Sequence, residues 1–394
     1  MILLSGGDIV LPDRVLGGGT LVLDGDRIVE VDRATRSPGG TDPHFDLRRH
    51  YILPGFIDVH VHGVEGIDAL DGGDAIGRLA ERLPRFGVTA FCPTSIACAP
   101  PALRVMLSAV RAARTSAPAG ARVLPAHLES NFISAEYRGA QPLECIRTPR
   151  AAGRQGDFSG DQILAEIAAA RPDVGIVTLA SELEGALDLI RDLTAQGHHV
   201  SLGHSAATYE QAMAGFDAGA RQATHLFNRM PPLGHRAPGL AGAALEHDDV
   251  IAELICDGVH VHPAMVRVAL SAKQPSGVMA ITDGTAGSGL PPGTRTLLGG
   301  RPITVRDTAR LDDGTIAGSV LTMDRAFAKL VTVMGLGLVD AATICATTAA
   351  RALRLQGFGA IAPGAAADLV VLDADFGVVH TFVAGSPVWS RPRR

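Results

Sequence analysis

Along the chain, a short apolar run followed by a polar residue and a turn signal recurs eight times: "FIDVHVH", "GVTAFCPTS", "RVLPAHLES", "VGIVTLASE", "HHVSLGHS", "RQATHLFN", "VIAELICDG" and "GVMAITDG". Runs this short, bounded by glycine, proline or polar clusters, are strands buried on both faces. Between most of them the apolar positions shift to helical spacing, as in "DAIGRLAERLPRFG", "PALRVMLSAVRAARTS", "DQILAEIAAA", "EGALDLIRDLTAQG" and "TYEQAMAGFDAGA". Strand and helix in alternation require parallel strands, and eight repeats select a (β/α)8 TIM-type barrel over a doubly wound sheet. "LTMDRAFAKLVTVMGLG" is then the helix after the eighth strand.

The two ends have a different period. "LVLDGDRIVEV" alternates as a hairpin about Asp24-Gly25-Asp26, and "ADLVVLDADFGVVHTFVAGSPVW" reads as short strands broken by glycine, aspartate and proline. Both ends are expected to build one small β-sandwich domain. The expected partition is residues 1–53 and 351–394 for that domain and 54–350 for the barrel.

Composition narrows the class. In 394 residues, 46% are apolar and 19% charged, which suits a folded protein with a large core. No apolar stretch reaches the roughly 18 residues that span a bilayer, and "MILLSGGDIVLPD" lacks the basic start and cleavage site of a signal peptide, so the expected location is cytoplasmic. Cys92, Cys98, Cys145, Cys256 and Cys345 are scattered without CxxC spacing and read as reduced core residues. A net charge of −6 with dispersed arginines argues against a nucleic-acid surface. "GGG" at 17–19 lacks the strand-to-helix context of a phosphate loop.

In a parallel barrel, reactive side chains sit where strands end. The residues closing the runs are His60 and His62 in the first, Glu129 in the third, His204 in the fifth, His225 in the sixth and Asp283 in the eighth. The strand period puts Asp58, His60 and His62 on one face, while Ile57, Val59 and Val61 face the helices. Imidazoles with a carboxylate are the usual ligands of Zn²⁺ or Fe²⁺, and four histidines with Glu129 suffice for one or two ions. A single histidine is more often a hydrogen-bonded core or surface group; five metal-type residues at strand ends are hard to obtain from packing, which favours apolar residues there. His44, His50, His198, His199, His247 and His380 keep the ordinary reading, and His127 is assigned a structural role. Asp283, before the glycine-rich "GTAGSG", is the expected general base.

These residues resemble the amidohydrolase superfamily: "PGFIDVHVHG" is similar to its first-strand metal motif and "GAIAPGAAADLVVLD" to its C-terminal β segment. More narrowly they resemble its N-acetylglucosamine-6-phosphate deacetylase family through "HLES", "TLASE", "SLGHS", "THLFNRM", "HRAPGLAGA", "CDGVHV", "ITDGTAG" and "AGSVLTMD", in order along the chain. The resemblance implies hydrolysis of an acetamide on an amino-sugar phosphate. It assigns Glu129, His204 and His225 to a primary metal, His60 and His62 to a second, Asp283 to catalysis and His260 to the substrate near the reacting amide. It places Asn228, Arg229, Asp257, Gly258, Ala140, Gln141, Ile316, Ala317 and Gly318 along the substrate, and Arg236 at the sugar phosphate, reaching in from the other subunit of a homodimer. Three departures stand out: "HLESN" carries Ser130 and Asn131 in place of a glycine and a proline, Gln141 replaces a common histidine, and Arg229 a small residue. They bear on the sugar epimer, N-acetylgalactosamine 6-phosphate being the alternative substrate.

Rival chemistries lack residues they need. A cyclic-amide hydrolase of this superfamily bridges two metals with a lysine after the fourth strand, but Lys273 and Lys329, the two lysines of the chain, end no run. A purine or adenosine deaminase needs an acid beyond the fifth-strand histidine, where "GHSAAT" has none. A barrel kept only for assembly has no use for a complete ligand set, since buried charged groups are costly.

Overall fold

The computed structural model describes residues 1–33, 43–116, 120–149 and 156–392. Among these, each of the eight apolar runs becomes a strand: β1 (Phe56–Val61), β2 (Val88–Ser95), β3 (Ala126–Glu129), β4 (Val174–Leu179), β5 (His199–Leu202), β6 (Gln222–Ala223), β7 (Ile251–Ile255) and β8 (Val278–Ile281). Each pairs in parallel with the next. The barrel closes just beyond the last strand, where Asp283 N–H donates to His60 O at 2.9 Å and His62 N–H to Gly284 O at 2.8 Å.

One helix follows each strand: α1 (Ala75–Arg82), α2 (Pro100–Thr115), α3 (Gly160–Ala169), α4 (Ala186–Ala195), α5 (Tyr209–Asp217), α6 (Gly239–Glu246), α7 (Pro263–Lys273) and α8 (Met323–Thr332). In α2, Leu103, Met106, Leu107 and Val110 form the buried stripe that 3.6 residues per turn dictates. Helices α3 and α5 start on capping boxes, Ser159 with Gln162 and Thr208 with Gln211. Helix α6, "GLAGAALE", and α7, "PAMVRVALSAK", fall on stretches where the sequence pattern gives no helix.

The two ends meet in one eight-stranded sheet. Strand Leu369–Leu372 pairs antiparallel with Tyr51–Pro54, joining the C-terminal strands to those from the first fifty residues. The hairpin of strands Val15–Asp24 and Arg27–Asp32 forms across Gly25, whose φ of 55° suits a residue without Cβ. Leu4, Ile9, Leu21, Ile28, Ile52, Leu369 and Phe382 make the core of this sheet.

A second sheet has no counterpart in the sequence expectations. Between β8 and α8, strands Arg295–Leu298, Arg301–Val305 and Ala309–Leu311 form an antiparallel meander over a small core of Ile96, Leu298, Ile303, Ala309, Leu311 and Ala317. Its return segment lies beside the end of β8, where Ser319 N–H donates to Asp283 O at 2.7 Å.

Candidate active site

The sequence places six candidate side chains at the ends of five strands, and the barrel brings them together. His204 Nε2 lies 2.7 Å and His225 Nε2 2.9 Å from the same oxygen of Glu129, with the two nitrogens 3.1 Å apart. Three donor atoms at this mutual spacing match ligands set about 2.0–2.1 Å from one tetrahedral cation. On the other side of Glu129, His60 Nε2 and His62 Nε2 are 3.3 Å apart, and Asp283 Oδ1 is 3.5 Å from the first and 3.2 Å from the second. Both donor sets therefore fit a divalent ion. A third buried trio, His60, His127 and Glu253, does not fit: His127 spends Nδ1 on Val59 O at 2.9 Å and Nε2 on Thr178 Oγ1 at 2.8 Å.

Backbone conformation marks the same positions. His204, His225 and Asp283 have φ of 47°, 30° and 47°, in the left-handed region that L-residues with large side chains avoid. Such conformations cost about 1–3 kcal/mol each and persist where the surroundings impose them, which is typical of functional positions.

Ring orientation is fixed from behind. His62 Nδ1 faces Thr94 O at 3.2 Å and His204 Nδ1 faces Tyr137 O at 2.8 Å, so each Nδ1 donates to a carbonyl and each Nε2 is turned inward. The charges follow from this crowding. Burial works to raise the Glu129 carboxyl, but the neighbouring His204 and His225 hold it well below the usual range. Burial lowers His60 to about 4; for His62 it is outweighed by the hydrogen bond to Asp283, which raises that ring to about 9. Asp283 is itself held low against burial by that bond.

Above these groups opens a cavity of about 450 Å³. His62, Glu129, His204, His225 and Asp283 line its floor, and Ala140, Gln141, Asn228, Arg229, His260, Ile316 and Gly318 its walls. His60 is fully buried beneath it. His260 Nδ1 is held by Asp257 Oδ2 at 2.6 Å, while Nε2 has no hydrogen-bond partner among the described residues. Asp257 thus orients His260 and does not itself line the cavity. Gly258 and Ala317 lie outside the lining too, as does Arg236, which is exposed on the segment before α6.

The departures in the β3 loop take structural roles. Ser130 Oγ donates to Thr178 O at 2.6 Å, and Asn131 Nδ2 donates to Cys98 O at 2.8 Å and Cys145 O at 2.7 Å. Gln141, expected along the sugar, is committed at both ends of its amide: Oε1 accepts from Ala97 N–H at 2.7 Å, and Nε2 donates to Glu129 Oε2. The Ala97 N–H fixes which end is nitrogen.

Other contributors have no counterpart among the sequence expectations. Leu298, from the inserted meander, and Tyr137 both line the cavity. Glu253, fully buried on β7, touches His60 Nδ1 at 3.0 Å. The signal for Glu253 is present in the sequence as the one charged residue inside "IAELI".

With the site described, comparison with known proteins is decisive. The amidohydrolase family model matches residues 51–388. The chain belongs to the amidohydrolase family. It is therefore a hydrolase of a metal-dependent family. It is 36% identical to N-acetylglucosamine-6-phosphate deacetylase of Bacillus subtilis, over 85% of this chain and 84% of that one. To N-acetylgalactosamine-6-phosphate deacetylase of Escherichia coli O157:H7 it is 34% identical, over 85% and 86%. Among solved structures, a mutant N-acetyl-D-glucosamine-6-phosphate deacetylase of Mycobacterium smegmatis in complex with N-acetyl-D-glucosamine-6-phosphate superposes with a TM-score of 0.88, at 33% identity and covering 99% of both chains. The barrel is thus the one these deacetylases share.

Proposed function

We propose that this amidohydrolase cleaves the acetamide of N-acetylglucosamine 6-phosphate to give glucosamine 6-phosphate and acetate. The observation that carries the reading is Asp283 Oδ1 within 3.5 Å of His60 and His62 Nε2, on the floor of a sugar-sized cavity shared with Glu129, His204 and His225. Glu129, His204 and His225 would hold one divalent ion, Zn²⁺ or Fe²⁺, with His60 and His62 set for another. Such a cation supplies Lewis acidity toward the amide carbonyl and acidifies water.

The chain's own residues do the rest. Asp283 takes the proton of the attacking water and returns it to the amide nitrogen as the C–N bond breaks. His260, its Nδ1–H held by Asp257, presents Nε2 to the carbonyl oxygen and, when protonated, donates to it as it becomes an oxyanion. Arg229, in the cavity wall, supplies positive charge for an anionic sugar. Arg236 would reach the phosphate of the other subunit's substrate in a homodimer, which its exposed position permits. The partition into residues 1–53 with 351–394 and a catalytic unit at 54–350 belongs to the same reading. So does a cytoplasmic location, which the free cysteines favour; among the described residues, no helix is long and apolar enough to cross a membrane.

The similarity to an N-acetylgalactosamine-6-phosphate deacetylase makes the galacto epimer the second substrate to test. Acetate release from N-acetylglucosamine, N-acetylgalactosamine and N-acetylmannosamine 6-phosphates, and from the same sugars without phosphate, decides. The gluco phosphate is expected to be the fastest. Equal rates with and without phosphate would remove the arginines from recognition.

A further inference from the structure

Glu253 is a carboxylate in the middle of a barrel strand with no exposure to water. Its Oε2 faces His60 Nδ1 at 3.0 Å and accepts more weakly from the backbone N–H of His225 at 3.4 Å, while its Oε1 has no hydrogen-bond partner among the described residues. A buried carboxylate with an idle oxygen is costly unless positive charge sits nearby.

The partners behind the four inward-facing histidines differ. His62 and His204 lean on the carbonyl oxygens of Thr94 and Tyr137, and His225 Nδ1 has no partner among the described residues. Behind His60 alone stands a carboxylate, within the same described set. That contact fixes the proton of His60 on Nδ1 and points the lone pair of Nε2 at His62 Nε2, 3.3 Å away. The His62 ring, held through Nδ1 by Thr94 O at 3.2 Å, turns its own Nε2 to the same point. Two inward-turned ring nitrogens, with Asp283 Oδ1 and Glu129 Oε2 at 3.2 and 3.6 Å from His62 Nε2, form a donor set that a cation satisfies.

We propose that Glu253, which holds His60 Nδ1, is a positioning residue for His60 and sets how tightly the His60–His62 pair takes its cation. This rests on the metal-dependent reading above. By orienting His60 and making its ring a stronger donor, Glu253 acts on the second position and leaves Glu129, His204 and His225 to hold the first.

The test counts metal. The protein is stripped with chelator, dialysed against graded Zn²⁺ and analysed for zinc per chain, for wild type, Glu253→Gln and His60→Gln, with the thermal midpoint of each stripped protein recorded. Wild type is expected to bind two ions. Glu253→Gln, which keeps shape and removes charge, is expected to keep the first ion at unchanged affinity and to bind the second about 10–100-fold more weakly. His60→Gln is expected to retain the first ion alone. Saturation of wild type at one ion overturns the proposal, as does unchanged binding of both ions by Glu253→Gln or an equal loss of both. A wild type that binds no zinc would fail the metal-dependent reading itself, a different result from one that binds a single ion.

Discussion

At the scale of single residues, the site is defined by what each side chain can no longer do. Asp283 N–H is spent on closing the barrel at His60 O and its carbonyl on Ser319 N–H of the return segment, so its carboxylate is delivered to the floor by the backbone. Asn tolerates the left-handed backbone found at this position and has nearly the same shape. Asp283→Asn is therefore expected to fold and to bind metal while turnover falls by about 10²–10⁴-fold. Metal analysis beside kcat checks this, and an active variant with metal bound would exclude Asp283 as base. Gln141 makes a second case. Its replacement by alanine leaves the Ala97 N–H without its acceptor in a buried place, a loss of about 1–3 kcal/mol, and frees Glu129 Oε2. Denaturant titration of Gln141→Ala would show a midpoint shift of that size; no shift would mean that another acceptor takes over.

The thiols belong to the same scale. Burial pushes Cys98 and Cys256 up to about 12, and raises Cys92 and Cys345 as well. Since thiolate is the reacting form, these four are expected to stay silent toward a disulfide reagent at pH 8, leaving half-buried Cys145 as the slow reactor. Five thiols should react in denaturant. Rapid labelling of more than one thiol in the folded protein would contradict the packing described.

At the scale of elements, the segment after the inserted meander matters most. Gly318 has φ of 62°, and a Cβ there would stand 2.8 Å from both Asp283 O and Thr285 Cγ2. Gly318→Ala must move the strand end that carries the base. Turnover is expected to fall at least tenfold with metal content intact, a displacement effect of the kind expected when catalytic geometry shifts. Wild-type turnover would show that the segment yields without moving Asp283.

The eight barrel strands were legible because each is apolar and ends in a polar residue, and the ligands were legible because those ends are where barrels place chemistry. The meander was not legible: its strands are three to five residues long, half exposed, and carry Arg295, Arg301 and Arg310. Helix α6 was hidden by glycine and alanine, which leave no polar face to set a period. Among the site residues, Gln141 was expected to face sugar because sequence order cannot show that Ala97, on the loop after β2, reaches its amide first.

At the scale of the whole molecule, the barrel's interior is polar under its floor. Thr178, Thr224 and Ser201 are linked at 2.7 and 2.6 Å, and Thr178 also takes His127, so the layer below the histidines is hydrogen-bonded from strand to strand. Satisfied networks of this kind rigidify a core and hold ligands in place without help from loops. The central claim is that this rigid set works as a metal-dependent deacetylase of an amino-sugar phosphate. The most direct measurement is acetate release from N-acetylglucosamine 6-phosphate by chelator-stripped protein before and after reloading with Zn²⁺ or Fe²⁺. The account predicts loss of activity on stripping and its return with stoichiometric metal; undiminished activity without metal, or no acetate from the fully loaded protein, would contradict it.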